Sequence, residues 1–347
     1  MSESTRAAFD AEELAVVLSY YDLGTIESIT EFARGSRRSP KVGLVADRGK
    51  FLLKRRAPQR AHPDRVRFAH RVQLHLATVG FPVAQLVATR EHATYVHLRD
   101  QVYELFEFIP GQPYCHTPGE SHESGAALAR FHAAMDGFLA PSKLPAPQGD
   151  YHHNPLVRAG MLGLGPTLSA HDSFSGDEAS LAGLVQYLLE SYDAAAHAVD
   201  GLGYTDLPER IIHSDWHPGN LLFRKGRVVA VIDFDSARRS RAIVDIGNGA
   251  LQFSLTSAPH VDQWPDHVDE PRYASFLEGY ESISPISVEE KRSIPNLMIE
   301  ALIAECVSPI QETGSMGHWS GFRVLEMVRR KVQWLVDNRE RLHSLPT

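Results

Sequence analysis

The chain has little cysteine. Cys115 and Cys306 are the two in 347 residues, far apart and in no metal-like spacing. That excludes a disulfide framework and a cysteine zinc site, and it fits a reducing compartment. No run of about 18 apolar residues occurs, so no membrane-spanning helix is expected. The opening MSESTRAAFDAEEL is polar and acidic with no apolar stretch. A secretory signal is therefore not expected, and the cytoplasm is the expected location. Basic residues are in deficit, 35 Lys and Arg against 43 Asp and Glu, for a net charge of -8. This excludes a chain built mainly to grip nucleic acid, which needs a basic surface. It leaves room for a local basic pocket that takes one phosphate ligand. Internal repeats and low-complexity tracts are absent. The 18 histidines are scattered, with no H-E-x-x-H or comparable metal spacing. What is present is ordinary: 43% apolar residues, enough to bury a sizeable core. At about 150 residues per domain, the length points to two domains.

Local patterns divide the chain. Residues 10–22 predict a short helix with Asp10 as its cap. ESITEFA (27–33), KVGLVAD (41–47) and KFLLKR (50–55) predict strands separated by turns. Val66, Phe68, Val72, Leu74, Leu76 and Val79 predict a helix that starts near Pro63 and ends at Gly80. ATYVHL (93–98) and QVYELFEFI (101–109) predict two more strands, the second stopped by Pro110-Gly111. Beyond them the pattern turns helical, at 120–138, 177–200, 271–282, 287–305 and 320–342. Within 205–247, LLF and VVAVIDF predict a strand pair joined by a tight turn at Arg224–Arg227. Residues 139–176, rich in Pro, Gly, Ser and His, read as an irregular insertion.

The chemistry concentrates in IIHSDWHPGNLLFRKGRVVAVIDFDSA. His213, Asp215 and Asn220 form H-x-D-x-x-x-x-N, and Asp233 ends an apolar run in Ile-Asp-Phe-Asp. A carboxylate beside a hydroxyl substrate orients it and accepts its proton. An amide oxygen and a second carboxylate share a magnesium ion that bridges nucleotide phosphates. Phosphoryl transfer requires those parts. Two other readings use the same residues. Asp215 and Asn220 decorate a turn at Pro218-Gly219, or His213 and His217 ligate a transition metal. His213, after two isoleucines, reads best as a packed residue that props the loop.

The segment resembles the aminoglycoside phosphotransferase family of the protein-kinase-like superfamily, whose catalytic loop reads H-G-D-x-H-x-x-N followed by I-D-F/W. The resemblance implies an α+β, two-lobed fold. Residues 1–109 would form an antiparallel, nucleotide-binding lobe and 110–347 a mainly helical lobe with the catalytic loop and acceptor site. It implies Asp215 as catalytic base, Asn220 and Asp233 as Mg2+ ligands, and ATP as phosphoryl donor. Asp245 matches a downstream Asp that supports the loop. Ser214 replaces the usual Gly, a small-for-small change expected to be tolerated.

The same resemblance makes demands elsewhere. Lys54, at the end of the third strand-like run, matches the Lys that reaches the α/β-phosphates. Strand alternation puts Arg55 on the opposite face. Gly35 and Ser36 match the turn over the phosphates, within the basic run Arg34, Arg37 and Arg38. The carbonyl of Glu107 and the amide of Ile109 match the hinge that binds adenine. One demand fails. The family's Lys pairs with a Glu on the following helix, near Ala69 here, yet 51–90 contains no Glu. The one carboxylate there, Asp64, reads as a helix cap. Lys54 is then held by phosphate alone or by a neighbour such as Glu104.

On the acceptor side, Tyr151, His152, His153, Glu300 and Glu305 are candidates. The two glutamates read either as a solvated or core-edge pair or as an acidic cleft for a cationic acceptor. The reaction implied is ATP-dependent phosphorylation of a small-molecule hydroxyl on an aminoglycoside-like, amino-alcohol, sugar or homoserine-like acceptor. The expected state is monomer or homodimer, with no nucleic-acid or membrane partner. Alternatives are an atypical protein Ser/Thr kinase and a nucleotide-binding pseudoenzyme that regulates a partner.

Overall fold

The computed structural model describes residues 7–32, 39–141, 150–171 and 176–345. In chain order the elements are α1 (Ala11–Ser19), β1 (Ile26–Glu31), β2 (Lys41–Ala46), β3 (Gly49–Arg55), α2 (Pro63–Thr78), β4 (Val96–Leu98) and β5 (Gln101–Glu107). Then come α3 (Pro118–Met135), α4 (Pro155–Ser169), α5 (Glu178–Gly201), β6 (Glu209–Ile212), β7 (Leu221–Arg224), β8 (Arg227–Val231) and β9 (Arg238–Arg241). The chain ends with α6 (Ala242–Ser254), α7 (Glu270–Glu281), α8 (Val288–Thr313), α9 (Gly321–Asp337) and a last short turn of helix. They divide into two compact units. One comprises Met1–Tyr114, Ala134–Ala146 and Gly219–Ala237, the other Cys115–Ala133, Pro147–Pro218 and Arg238–Thr347.

The first unit is a five-stranded antiparallel sheet in the order β1-β2-β3-β5-β4. Period-two alternation sorts its side chains. Val42, Leu44, Leu53, Tyr103 and Leu105 turn to a core that Val17 and Leu18 of α1, with Tyr21 just beyond it, complete. Asp10 caps α1 through a capping box with Glu13. The opposite face carries Lys54 and Glu104, paired across β3 and β5. Arg55 leaves on the core side, as alternation requires, and bonds Glu13 at 2.6 Å. The β7–β8 hairpin belongs to this unit and turns at Lys225-Gly226, both at positive φ. That conformation matches the twist of paired strands. Val83 and Gln112 tie the hairpin to the rest of the unit by bridges to Val231 and Phe223.

The second unit is helical around α8, which packs against α4, α5, α6 and α9. Residues 293–304 of α8 are buried without a break. A helix apolar all round belongs inside a core. By length and composition α8 is also apolar enough to cross a membrane, where none was expected, but 83% of its most apolar window is buried within the protein.

Three expectations change. Within 139–176, residues 155–169 form α4 rather than an irregular insertion, started by Asn154 as N-cap and Pro155. Its glycines looked like loop residues. Instead, a Cβ at Gly160 or Gly163 would stand 2.8 Å from Val307 or 2.9 Å from Gln311 of α8. Helix α6 was not expected at 242–254, because Gly247 and Gly249 interrupt its pattern. Those glycines admit Leu297 and Phe276, whose atoms would lie 2.7 and 2.4 Å from an added Cβ. The β6–β9 pair was also missed, since RRSR carries no apolar alternation.

Candidate active site

In the first unit, the β7–β8 hairpin sets Asn220 and Asp233 side by side. The Ile232 N–H donates to the Asn220 carbonyl at 3.0 Å, closing the hairpin at Asn220 and one residue before Asp233. Asp233 sits at φ 65 and heads a one-turn helix, so Asp235 lies two residues on within that turn. Lys54 donates to Asp235 at 2.8 Å and to Asp233 at 3.2 Å. Burial works against the Lys54 ammonium, but Asp233 and Asp235 outweigh it and hold it well above its usual range. Burial likewise opposes the Asp233 charge, yet Lys54, Arg60 and Lys41 keep its carboxyl far below the ordinary value. Lys41 faces Lys54 across β2 and β3. Two cations opposed in this way repel unless an anion lies between them.

Arg56 is 2% exposed and bonds Glu104 through both Nε and Nη2 at 2.7 Å. Its Nη2 also lies 2.7 Å from Asp235. The His70 ring, on α2, closes on the same Glu104 oxygen with Nε2 and on Thr94 at 2.7 Å with Nδ1. Burial alone would raise the Glu104 carboxyl; Arg56 and His70 bring it down to about 2.

In the second unit, the loop after β6 is clamped by Asp245 in the first turn of α6. The backbone N–H groups of His213 and Ser214 each donate to one Asp245 oxygen at 2.7 Å. His132 reaches Asp245 at 3.2 Å and Tyr280 at 2.9 Å. The His213 ring stands edge-on to Phe131 and Trp216. It is therefore a packed prop of the loop, as its sequence context suggests. Asp215 projects from this clamped loop with a quarter of its side chain exposed, 3.7 Å from His217.

Glu305 of α8 accepts from Tyr151 at 3.3 Å and from Gln252. Burial pushes its carboxyl up to about 7, and the nearby charge of Asp215 adds to the shift. Glu300 is spent differently. It lies 3.0 Å from the His152 ring and accepts the His153 N–H at 2.8 Å. Asp200 holds both His rings from the other side, at 3.1 and 3.0 Å. The histidine turn is thus pinned to α5 and α8. Neither glutamate forms a solvated face.

The expected site residues are placed as follows. Lys54, Asn220 and Asp233 come together in the first unit. Asp215 stands on the clamped loop of the second. Glu107 ends β5 and Ile109 follows it two residues on; the Glu107 N–H donates to the Gln85 carbonyl and the Phe108 N–H to the Lys50 carbonyl. Gly35 and Ser36 lie outside the described residues; Ser39, beside them, donates to the Arg55 carbonyl at 2.7 Å. Glu104 is not the direct partner of Lys54: Lys54 bonds Asp233 and Asp235, while one Glu104 oxygen takes both Arg56 and His70. Asp64 is not the cap of α2. His62 is, and Asp64 pairs with Arg67 at 2.6 Å.

Sequence reasoning missed Arg56, Asp235, Lys41 and Gln252. Arg56 and Asp235 were within reach, since each stands two residues beyond a named site residue. Asp233 and Asn220 offer hard oxygen donors at one hairpin end, and Asp233 keeps its charge. That donor chemistry fits a hard divalent cation. Among the described residues, no three His, Cys, Asp or Glu side chains form a metal-holding group.

The fold is similar to that of amicoumacin kinase, solved in complex with AMP-PNP, Ca2+ and Ami, at a TM-score of 0.69 with 14% identity and 96% of both chains covered. It is also similar to the microcompartment-associated aminopropanol kinase, at a TM-score of 0.69 with 14% identity, covering 97% of this chain and 100% of that one. These likenesses define an α+β, protein-kinase-like fold. In sequence, residues 28–289 match the phosphotransferase enzyme family. The homoserine kinase of Gluconobacter oxydans (strain 621H) is 31% identical over 300 residues, covering 84% of this chain and 85% of that protein. The chain belongs to the phosphotransferase enzyme family.

Proposed function

We propose that this protein transfers the γ-phosphoryl group of ATP to the hydroxyl of a small amine-bearing molecule, with homoserine the first candidate. The observation that carries the reading is the carboxylate pair of the second unit. Asp215 is fixed by the Asp245 clamp, and Glu305 lies close enough to feel its charge. Asp215 accepts the proton of the attacking hydroxyl. A bond forms between that oxygen and the γ-phosphorus, and the bond to the ADP oxygen breaks. Glu305, held in place by bonds from Gln252 and Tyr151, neutralises the acceptor's ammonium group. The curated relative's name supports homoserine, and the aminopropanol kinase supports an amino alcohol more broadly.

Lys54 and Lys41 hold the phosphates, with Gly35 and Ser36 covering them. The Glu107 carbonyl and Ile109 amide take the adenine edge. Asn220 and Asp233 hold Mg2+, which supplies charge neutralisation on the phosphate oxygens when bound. Functionally, residues 1–109 bind the nucleotide and 110–347 provide the catalytic loop, the metal ligands and the acceptor site. ATP chemistry and the free thiols of Cys115 and Cys306 suit the cytoplasm.

The test is phosphate transfer from Mg-ATP across homoserine, amino alcohols, aminoglycosides, sugars and the des-amino analogue of each acceptor that turns over. Amine-bearing acceptors should lead, and Asp215→Asn should cut kcat by about a thousandfold or more while leaving Mg-ATP binding in place. No Mg-ATP binding at millimolar concentration would overturn the reading. So would ATP binding without transfer to any acceptor, or equal use of the des-amino analogues.

A further inference from the structure

Between 51 and 90 the chain offers Lys54 no glutamate, and the carboxylate it does have, Asp64, is paired with Arg67 on the exposed side of α2. The buried side of α2 presents His70 instead, next to Ala69. His70 contacts Glu104 of β5, Glu104 contacts Arg56, and Arg56 contacts Asp235. Asp235 accepts from Lys54, which also reaches Asp233. Six side chains from α2, β5, the end of β3 and the turn after β8 form one continuous chain, all inside the first unit. His70, Glu104 and Arg56 are at most 2% exposed. Water therefore does not compete for these bonds, and each is geometrically demanding.

Arg56 is the branch point. Its planar fork bonds a carboxylate on β5 and a carboxylate beside Asp233 at once, which a Lys ammonium does not reproduce. We propose that Arg56 is a positioning residue for phosphoryl transfer: anchored on Glu104, it fixes Asp235 and thereby sets where the Lys54 ammonium and the Asp233 carboxylate stand. The role that the family pattern gives to a helix-borne acid is here routed through an arginine just past β3 and a glutamate on β5. The inference rests on the reading of Lys54 as a phosphate contact and Asp233 as a metal ligand.

The test uses the full-length protein and the variants Arg56→Lys, Glu104→Gln, Asp235→Asn and the double variant Arg56→Lys/Asp235→Asn. Mg-ADP affinity is measured by calorimetry, and the Mg2+ concentration for half-maximal turnover by titration. Thermal melts establish that each variant is folded. Arg56→Lys should weaken Mg-ADP binding and raise the half-saturating Mg2+ at least about tenfold, while the acceptor KM stays within about twofold of wild type. The double variant should be no worse than Asp235→Asn alone, because the two residues act in series. Unchanged Mg-ADP and Mg2+ dependence in folded Arg56→Lys overturns the inference, as do losses that simply multiply in the double variant. If Arg56→Lys does not fold, Glu104→Gln makes the same measurement, and its indifference overturns the inference equally. Wild-type protein that fails to bind Mg-ADP would sink the kinase reading itself, a result distinct from a binding wild type with indifferent variants.

Discussion

Ser214 stands where the catalytic-loop pattern that the segment resembles has Gly, and the backbone explains a preference for Gly: φ is 63. A side chain in the left-handed region costs about 1 kcal/mol. The Ser214 hydroxyl is also buried with no hydrogen-bond partner among the described residues. The conformation persists because Asp245 takes the Ser214 N–H and the His213 N–H together. We expect Ser214→Gly to stabilise the protein by about 1 kcal/mol, read as a higher melting temperature. A lower melting temperature would count against the strain account. At this scale the sequence spoke clearly where spacing is chemical. Asp215, Asn220 and Asp233 sit on one short segment whose offsets follow from a loop and a hairpin. It was silent on Arg56 and Asp235, because a residue two places further shares a site only once the strand and turn geometry are known. It was silent too on Glu305 against Glu300, since one helix carries both and only the His152–His153 turn shows which is already spent.

Elements were legible where period and caps agreed. Strands β2, β3 and β5 and helices α1, α2, α5 and α7 fall close to their expected bounds, because alternation or 3.6-residue spacing is bounded by Asp, Pro or Gly. They failed where glycine serves packing instead of punctuation, as in α4 and α6. Helices α3 and α7 show the same device in reciprocal form. A Cβ on Gly125 would lie 1.9 Å from the Phe276 carbonyl oxygen, and one on Gly279 would lie 1.9 Å from that of His122. Both obstacles are backbone, so no rotamer change relieves them. Gly125→Ala should therefore destabilise the second unit by about 1–3 kcal/mol or more, despite alanine's better helix propensity. Chemical denaturation checks this. A neutral or stabilising Gly125→Ala would mean that the two helices are free to move apart.

Charge was legible as a total of -8 and not as a distribution. The fold gathers Lys41, Lys54, Arg56 and Arg60 around two buried or half-buried aspartates in one unit. In the other, Glu305 lies near Asp215 with no bonded cation among the described residues. Whole-molecule stability then responds to pH in two opposed ways. Glu104, brought down to about 2, contributes stability that is present above its ordinary value near 4.5 and is lost as pH falls toward 2. Glu305, pushed up to about 7, does the reverse. Its contribution is complete below the same ordinary value and is lost as pH rises through about 7. An ionised Glu305 therefore costs stability at the pH where an ammonium acceptor would be bound. Glu305→Gln removes that cost. It should stabilise the protein by about 1–3 kcal/mol at pH 8 and by little near pH 4.5, and it should raise the acceptor KM about tenfold or more with the Mg-ATP KM unchanged. Melting curves at both pH values and steady-state kinetics at the higher one decide the matter. A variant that is stabilised but keeps its acceptor KM would show Glu305 to be strained without being used. Equal stability changes at the two pH values would show that its carboxyl does not titrate between them.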